Sequence, residues 1–478
     1  MTAASSGTVA GVAAAAYTLS VSVPIEAADA PTDAKNKTHH NKSGTGFINP
    51  WESWKPLPPF QILSSILWRR LTGTANTPSL VPPLTVQTPS FLPSRTASSS
   101  LRATWLGHAC VYLEFPSGLR VLLDPVFEDR CSPAGFPGPK RYTPTPCGLA
   151  DLPIVDVVVI SHSHYDHLSY PSVMELAKLH PKALFAVPLG LESWFRDAGI
   201  QSVVKMDWWQ EIDVTLSPAG AEGVEWEVTA AAAGAPAAPT AQTATGPITA
   251  RISCLPCQHT SARTPFDQAR TLWASWAIKS GGKSVWFGGD TGYRTVPKLP
   301  PTVDDYSAPY ADLPRCPAFK DIGSLRGPFD LGLIPIGAYD PRWLFSSMHA
   351  DPADALEIMK DTDCKRALGV HWGTWVLTEE DGGAPPKRLK EVLRGKGMPE
   401  VGVFDVSDVG EIVAAVEMIP HIFTRSKASV IFTNLSLAIE AIPKSYASYE
   451  GVQSLHRDQR DTARLRNAGP RKLWDIVS

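Results

Sequence analysis

Short apolar runs broken by turn-forming residues recur through the middle of the chain. Residues 111–115 (Val-Tyr-Leu-Glu-Phe) and 119–123 (Leu-Arg-Val-Leu-Leu) flank Pro116-Ser117-Gly118, which predicts a hairpin. Residues 154–160 then read as a strand, 171–180 as a helix with Pro at its first turn, 183–187 as a strand and 189–198 as a helix. That alternation predicts βαβ units and a sheet covered by helices. Further strands are expected at 252–255, 283–287 and 366–370. Nearer the start, Ile62, Leu63, Ile66 and Leu67 fall on one helical face, closed by Arg69 and Arg70 at the C-terminal end. Such a face either packs on the core or lies at a lipid interface with Trp68 and the arginines at headgroup level; the pattern alone does not choose.

These elements divide the chain. Residues 1–46 read as a disordered tail of small and polar residues. Residues 47–100 read as an N-terminal segment facing membrane or substrate, followed by a linker rich in Pro, Ser and Thr. A hydrolase-sized domain is expected over 101–414, with insertions near 230–245 and 294–315, and 415–478 is an extension of open role containing Arg457, Arg460, Arg464 and Arg466. The Ala-rich stretch 8–23 lacks the positive residues that precede a secretory core and the Arg of a mitochondrial presequence. Disordered tail is therefore preferred there over a mitochondrial signal.

Composition narrows the field. A length of 478 residues with 44% hydrophobic and 19% charged residues suits a large globular protein. A net charge of -3 without a long basic run argues against nucleic acid as a partner. Seven cysteines, odd in number and scattered, favour a reducing, intracellular setting over a disulfide framework. Cys254-x-x-Cys257 stands alone and is read as incidental. No apolar stretch is long enough to predict a transmembrane helix.

The chemistry concentrates in Ser161-His162-Ser163-His164-Tyr165-Asp166-His167, directly after the 154–160 strand. Three histidines and a carboxylate at that spacing, on a turn between strand and helix, suit a metal site far better than packing. Three later strands each end at a metal-type side chain: His259, Asp290 and His371. Layered α/β sheets commonly present their sites just past strand ends. Together these positions supply five His and two Asp, enough for two metals. His108 also follows an apolar run, but it lies far from the cluster in sequence and is assigned only a part in positioning backbone near the site.

The ordered set His162, His164, Asp166, His167, His259, Asp290 and His371 resembles the metallo-β-lactamase superfamily. Gly138-Pro139-Lys140-Arg141, Asp207-Trp208-Trp209, Phe287-Gly288-Gly289-Asp290-Thr291-Gly292-Tyr293, Ile334-Pro335-Ile336-Gly337-Ala338-Tyr339, Pro341-Arg342-Trp343, His349-Ala350-Asp351-Pro352 and His371-Trp372-Gly373-Thr374 resemble the N-acyl-phosphatidylethanolamine-hydrolysing phospholipase D family, as does the aromatic segment 47–54. The resemblance spans roughly residues 47–412 and departs at the two insertions and the tail. It implies an α/β fold, an αββα sandwich of two mixed β-sheets flanked by helices. It also implies two zinc ions per chain: one held by His162, His164 and His259, the other by Asp166, His167 and His371, with Asp290 between them.

The implied activity is a phospholipase D: N-acyl-phosphatidylethanolamine is hydrolysed to phosphatidate and an N-acylethanolamine. Asp166 would orient the nucleophile as well as ligate, and His349 would contact the phosphate or protonate the leaving alkoxide. Trp51, Trp54, Ile66, Leu67, Tyr339 and Arg342 are the expected substrate- or membrane-facing residues. The implied setting is peripheral membrane contact with a phospholipid substrate, as a homodimer. Another phosphodiester, nucleic acid included, or a lactone or ester substrate is the alternative on the same fold; a non-enzymatic binding protein would be expected to have lost ligands, and none is missing.

Overall fold

The computed structural model describes residues 17–24, 29–80, 84–95, 98–133, 138–218, 246–264, 266–300 and 302–415. The chain divides into two compact units, Met1–Val416 and Glu417–Ser478, and all described residues belong to the first. In chain order its strands are β1 (Tyr17–Ser22), β2 (Leu101–Gly107), β3 (Cys110–Glu114), β4 (Arg120–Leu123), β5 (Val157–Val159), β6 (Leu184–Pro188), β7 (Val203–Met206), β8 (Glu211–Pro218), β9 (Ile248–Leu255), β10 (Ser275–Ser280), β11 (Lys283–Phe287), β12 (Leu331–Pro335), β13 (Ala367–Val370), β14 (Phe404–Asp405) and β15 (Ile412–Ala415). The helices used below are α1 (Pro59–Leu71), α2 (Tyr170–Leu179), α3 (Glu192–Asp197), α4 (Ala318–Arg326), α5 (Pro352–Asp361) and α6 (Ala384–Gly395).

The strands form two mixed sheets. One runs β1-β8-β9-β10-β11-β12-β13-β14 and the other β15-β2-β3-β4-β5-β6-β7. In each, antiparallel pairing gives way to parallel pairing part-way across, at β11–β12 and at β4–β5.

Period-two alternation shows how the layers stack. Val111, Leu113, Val121, Leu123, Val157, Val159, Leu184 and Ala186 join the core shared with the other sheet, which supplies Ile212, Val214, Ile252, Ile278, Val285 and Leu333. The residues between them, Tyr112, Leu122, Val158 and Phe185, turn to the opposite face and meet Val173 and Leu176 of α2 and Phe195 of α3. On the outer side of the first sheet, α4 contributes Phe319 and Ile322, α5 Leu356 and Met359, and α6 Leu389 and Leu393. The result is the αββα sandwich.

The 1–46 stretch differs from the disordered tail expected of it. Tyr17–Ser22 pairs antiparallel with β8, Leu19 opposite Leu216, and forms an edge of the first sheet. Tyr17, Leu19 and Val21 alternate toward the core, a pattern hidden by the surrounding Ala, Ser and Thr. Further on, His39 and His40 both reach the Asp207 carboxylate, at 2.7 and 2.9 Å. The 230–245 insertion and the tail beyond β15 lie outside the described residues. The 294–315 segment is tied in by the fully buried Arg294, which pairs with Asp305 and with Asp354 of α5.

Candidate metal centre

Five strand ends converge on one place. The 161–167 loop leaves β5, and His108 sits in the β2–β3 turn. His259 follows β9, Asp290 follows β11 and His371 follows β13. At Gly289 the two sheets come so close that an added Cβ would lie 2.7 Å from that of Ser161, and its φ of +58° favours glycine as well. Close approach of backbone here lets side chains from both sheets share one cluster.

Two four-residue groups of ligand-type atoms result, each with all its atoms within 4.8 Å of one another: His162, His164, His259 and Asp290; and His108, Asp166, His167 and His371; a third, Asp290, His349 and His371, overlaps both. Asp290 stands between them. Its Oδ1 lies 2.9 Å from His371 Nε2, and its Oδ2 lies 3.2 Å from His167 Nε2, 3.6 Å from His259 Nε2 and 3.9 Å from His162 Nε2. Asp166 Oδ2 lies 3.4 Å from His167 Nε2 and 3.5 Å from His371 Nε2. His164 Nδ1 is 2.8 Å from His162 Nε2 and 3.3 Å from His259 Nε2.

The rings are aimed from behind. Asp124, just past β4, accepts from the backbone N–H and hydroxyl of Ser161 at 2.7 and 2.5 Å, and lies 2.7 Å from His167 Nδ1. Ser161 Oγ is 2.9 Å from His162 Nδ1, and the Met348 carbonyl is 3.0 Å from His259 Nδ1. Asn49 donates to the His259 carbonyl at 2.7 Å, so the N-terminal segment braces the β9 end. Oriented in this way, each imidazole presents its other nitrogen to the cluster.

The cluster asks for cations. His167 Nε2, His371 Nε2 and Asp290 Oδ1 are buried without a hydrogen-bond partner, although they converge. Burial pushes His162 and His259 well below the ordinary imidazole value, leaving their lone pairs free. Burial opposes the charged form of His167 too, but Asp290 and Asp166 outweigh it and raise that group well above the ordinary value. The same contest raises His371 to about 9, with Asp290 the chief carboxylate. Asp166 and Asp290 end well below the usual carboxylate range because the histidines outweigh their burial. Imidazoles and ionised carboxylates converging in this way fit divalent ions by donor type and by arrangement, with a cation taking the place of the protons that Asp166 and Asp290 hold on His167 and His371.

Thus the seven positions expected from the sequence, His162, His164, Asp166, His167, His259, Asp290 and His371, are brought together. His349 joins them, its Nδ1 4.0 Å from Asp290 Oδ2 and its ring stacked on that of His371 at 5.4 Å. Burial lowers His349 to about 4.

Other expectations need correction. Arg342 does not face substrate: its guanidinium is spent on Asp305 and Asp354, at 2.9 and 2.8 Å, beneath the surface. Trp51 turns inward and stacks on Trp208 with rings 5.4 Å apart. Trp54, Tyr339 and Ile66 are half-buried, whereas Leu67 is exposed. Cys254 and Cys257, read as incidental, are buried free thiols and belong to neither group of ligand-type atoms. Asp124 and the side chain of His108 were missed. Each follows a strand end, the same signal that marked His259, Asp290 and His371.

Residues 119–372, more than half of the chain, match the family described as a β-lactamase superfamily domain. The chain is 36% identical over 322 residues to N-acyl-phosphatidylethanolamine-hydrolyzing phospholipase D 1 of Caenorhabditis elegans, covering 66% of this chain and 76% of that one. It is 30% identical over 313 residues to the Saccharomyces cerevisiae protein named N-acyl-phosphatidylethanolamine-hydrolyzing phospholipase D, mitochondrial, covering 64% of this chain and 56% of that one. Among solved structures, Igni18, a metallo hydrolase from Ignicoccus hospitalis, aligns at 19% identity and a TM-score of 0.41, over 67% of this chain and all of that one.

Proposed function

We propose a reaction on one premise: this chain belongs to the β-lactamase superfamily, and within it to the N-acyl-phosphatidylethanolamine-hydrolysing phospholipase D family. It is a metal-dependent hydrolase. The proposed substrate is N-acyl-phosphatidylethanolamine, and the proposed cofactor is two zinc ions. His162, His164 and His259 would hold one, Asp166, His167 and His371 the other, and Asp290 both. The observation that carries this reading is the convergence of unpartnered His167, His371 and Asp290 atoms between the two groups.

When bound, two such ions supply a water acidic enough to act near neutral pH and offset the charge of a phosphodiester. The chain's own residues do the rest. Water adds to phosphorus, the bond from phosphorus to the N-acylethanolamine oxygen breaks, and the proton lost by water ends on that oxygen. Asp166, only slightly open to solvent, orients the attacking water. His349, neutral at pH 7 because burial lowers it to about 4, serves better as an N–H donor to a phosphoryl oxygen than as a proton source.

A lipid substrate needs an apolar approach, and α1 offers one. No residue of this helix is buried. Phe60, Leu63, Leu67, Trp68 and Leu71 are 75, 69, 57, 68 and 74% exposed, and 60, 63, 67 and 71 share one helical face. The opposite side is pinned by Arg69, whose Nε and Nη2 donate to Glu379 at 2.9 and 2.5 Å. We read α1 as a peripheral lipid contact. Among the described residues no helix is long and apolar enough to cross a membrane.

The test presents the purified protein with N-acyl-phosphatidylethanolamine vesicles, with and without a chelator, and identifies products by mass. Phosphatidate plus N-acylethanolamine, lost with chelator and restored by zinc, is expected. No turnover by a protein that holds two metals would overturn the substrate and direct attention to other phosphodiesters and lactones.

A further inference from the structure

We propose that His108 is a positioning residue of the metal centre, its Nε2–H holding the Asp166 carboxylate in the orientation that the second metal requires. The inference rests on the metal reading above, and His108 lies outside the residues matched to the superfamily domain.

His108 addresses two candidate ligands at once. Its Nε2 lies 3.0 Å from Asp166 Oδ2. Its carbonyl accepts from the His371 N–H at 2.9 Å and from Trp105 Nε1 at 2.7 Å. To do both it adopts φ +53°, a left-handed conformation uncommon for a residue other than glycine. Such conformations persist where the surroundings over-determine them, and they cluster at functional sites.

The surroundings do over-determine this ring. One face lies against His371, with centroids 4.0 Å apart. Trp375 meets it edge-on at 4.9 Å and carries the Arg141 guanidinium over its own ring at 4.3 Å. Arg141 is fixed in turn to the carbonyls of Glu128 and Val126. A stack running from Arg141 through Trp375 to His108 therefore ends on Asp166.

The same geometry would admit His108 as a fourth ligand, and the hydrogen bonds decide against that. A ligating Nε2 would put the proton on Nδ1, which is buried without a partner. The candidate ligands His162, His167 and His259 each have a partner behind them at Nδ1. His371 Nδ1 has none either, but its Nε2 faces Asp290 as well as Asp166, whereas His108 Nε2 meets the Asp166 carboxylate alone; the proton of His108 therefore belongs on Nε2, pointed at Asp166, and its Nδ1 is left as a bare lone pair.

Cobalt(II) added alone to metal-free protein tests this, read by its visible absorption. His108→Phe keeps the ring and removes the donor; His108→Gln restores an N–H at similar reach. With His108→Phe the second cobalt ion should bind about 10–100-fold more weakly. The first ion and the melting temperature of metal-free protein should not change, and His108→Gln should recover most of the loss. Unchanged binding of both ions by His108→Phe would overturn the proposal, as would an equal loss in both variants or a fall in metal-free stability that accounts for it. Wild-type protein that binds two cobalt ions yet cleaves no lipid would remove the substrate reading only. Wild-type protein that binds none would overturn the metal reading and this inference with it.

Discussion

The candidate metal centre and helix α1, the proposed lipid contact, are opposite kinds of surface. At the centre His162, His167, His259, Asp290 and His371 are buried, and the rings of His162, His167 and His259 are aimed by Ser161, Asp124 and Met348. Helix α1 has no fully buried residue, exposes five large apolar side chains and is held by the Arg69–Glu379 pair, with Asn76 joining the same carboxylate. The first holds its side chains in a fixed geometry, with rings braced from behind. The second has almost no geometry of its own and lacks an apolar partner. The contrast teaches that chemistry and access are built separately here, so that substitutions should damage one without the other.

The largest separation is expected from His349→Ala. It touches the centre and leaves α1 alone. Turnover of lipid and of a soluble phosphodiester should both fall about 10²–10³-fold, the usual range for a lost hydrogen-bond donor to charge that develops in the transition state. Metal content by mass spectrometry and vesicle binding should stay at wild-type levels. Full turnover with both metals present would remove His349 from the mechanism.

The converse experiment exchanges Leu63 and Leu67 for Asp. Each leucine would otherwise bury apolar surface in lipid, worth about 1.5–3 kcal/mol. The double variant should bind vesicles at least about 10-fold more weakly in a sedimentation assay. Its melting temperature and its hydrolysis of a soluble phosphodiester should not change, since neither side chain is buried in the protein. Equal loss of both activities would make α1 part of the fold rather than a docking surface.

The two regions also differ in how readable they are. The centre was legible because its ligands obey a local rule: each stands just past a strand, and strands announce themselves by apolar runs such as 157–160 and 367–370. Asp124 and His108 obey the rule too, but one lies in an Asp-Pro turn and the other precedes the hairpin; nothing local ties either to a cluster more than 35 residues away. The helix at 60–70 was legible as a helix, but its exposure was not. Periodicity reports that one side is apolar; whether that side is covered depends on elements distant in sequence, such as Glu379. Arg342 failed for the same reason. Its partners Asp305 and Asp354 come from elsewhere in the chain, and only the fold reveals that they consume it. Strand β1 was overlooked because a period-two signal of three residues is lost among alanines.

The smallest effect probes the joint that seats α1 on the fold. Asp340 lies beside the Arg69–Glu379 pair, and burial raises its carboxyl to about 6, with Glu380 and then Glu379 adding to the rise. A folded value above the unfolded one, near 3.9, means that the folded state binds this proton more tightly. Below about 4 both states are protonated and nothing is lost. As pH climbs through 6 the folded state must accept a charge that its neighbours oppose, and stability falls until the group is fully ionised. Asp340→Asn removes that charge while keeping the shape. It should raise the melting temperature at pH 7.5 by about 1–3 °C, a modest value because the carboxyl is partly open to screening by water. At pH 4 the variant and the wild type should melt together. The same difference at both pH values would show that the gain comes from something other than the charge. A gain accompanied by unchanged vesicle binding would show that the joint can be stabilised without moving the apolar face of α1.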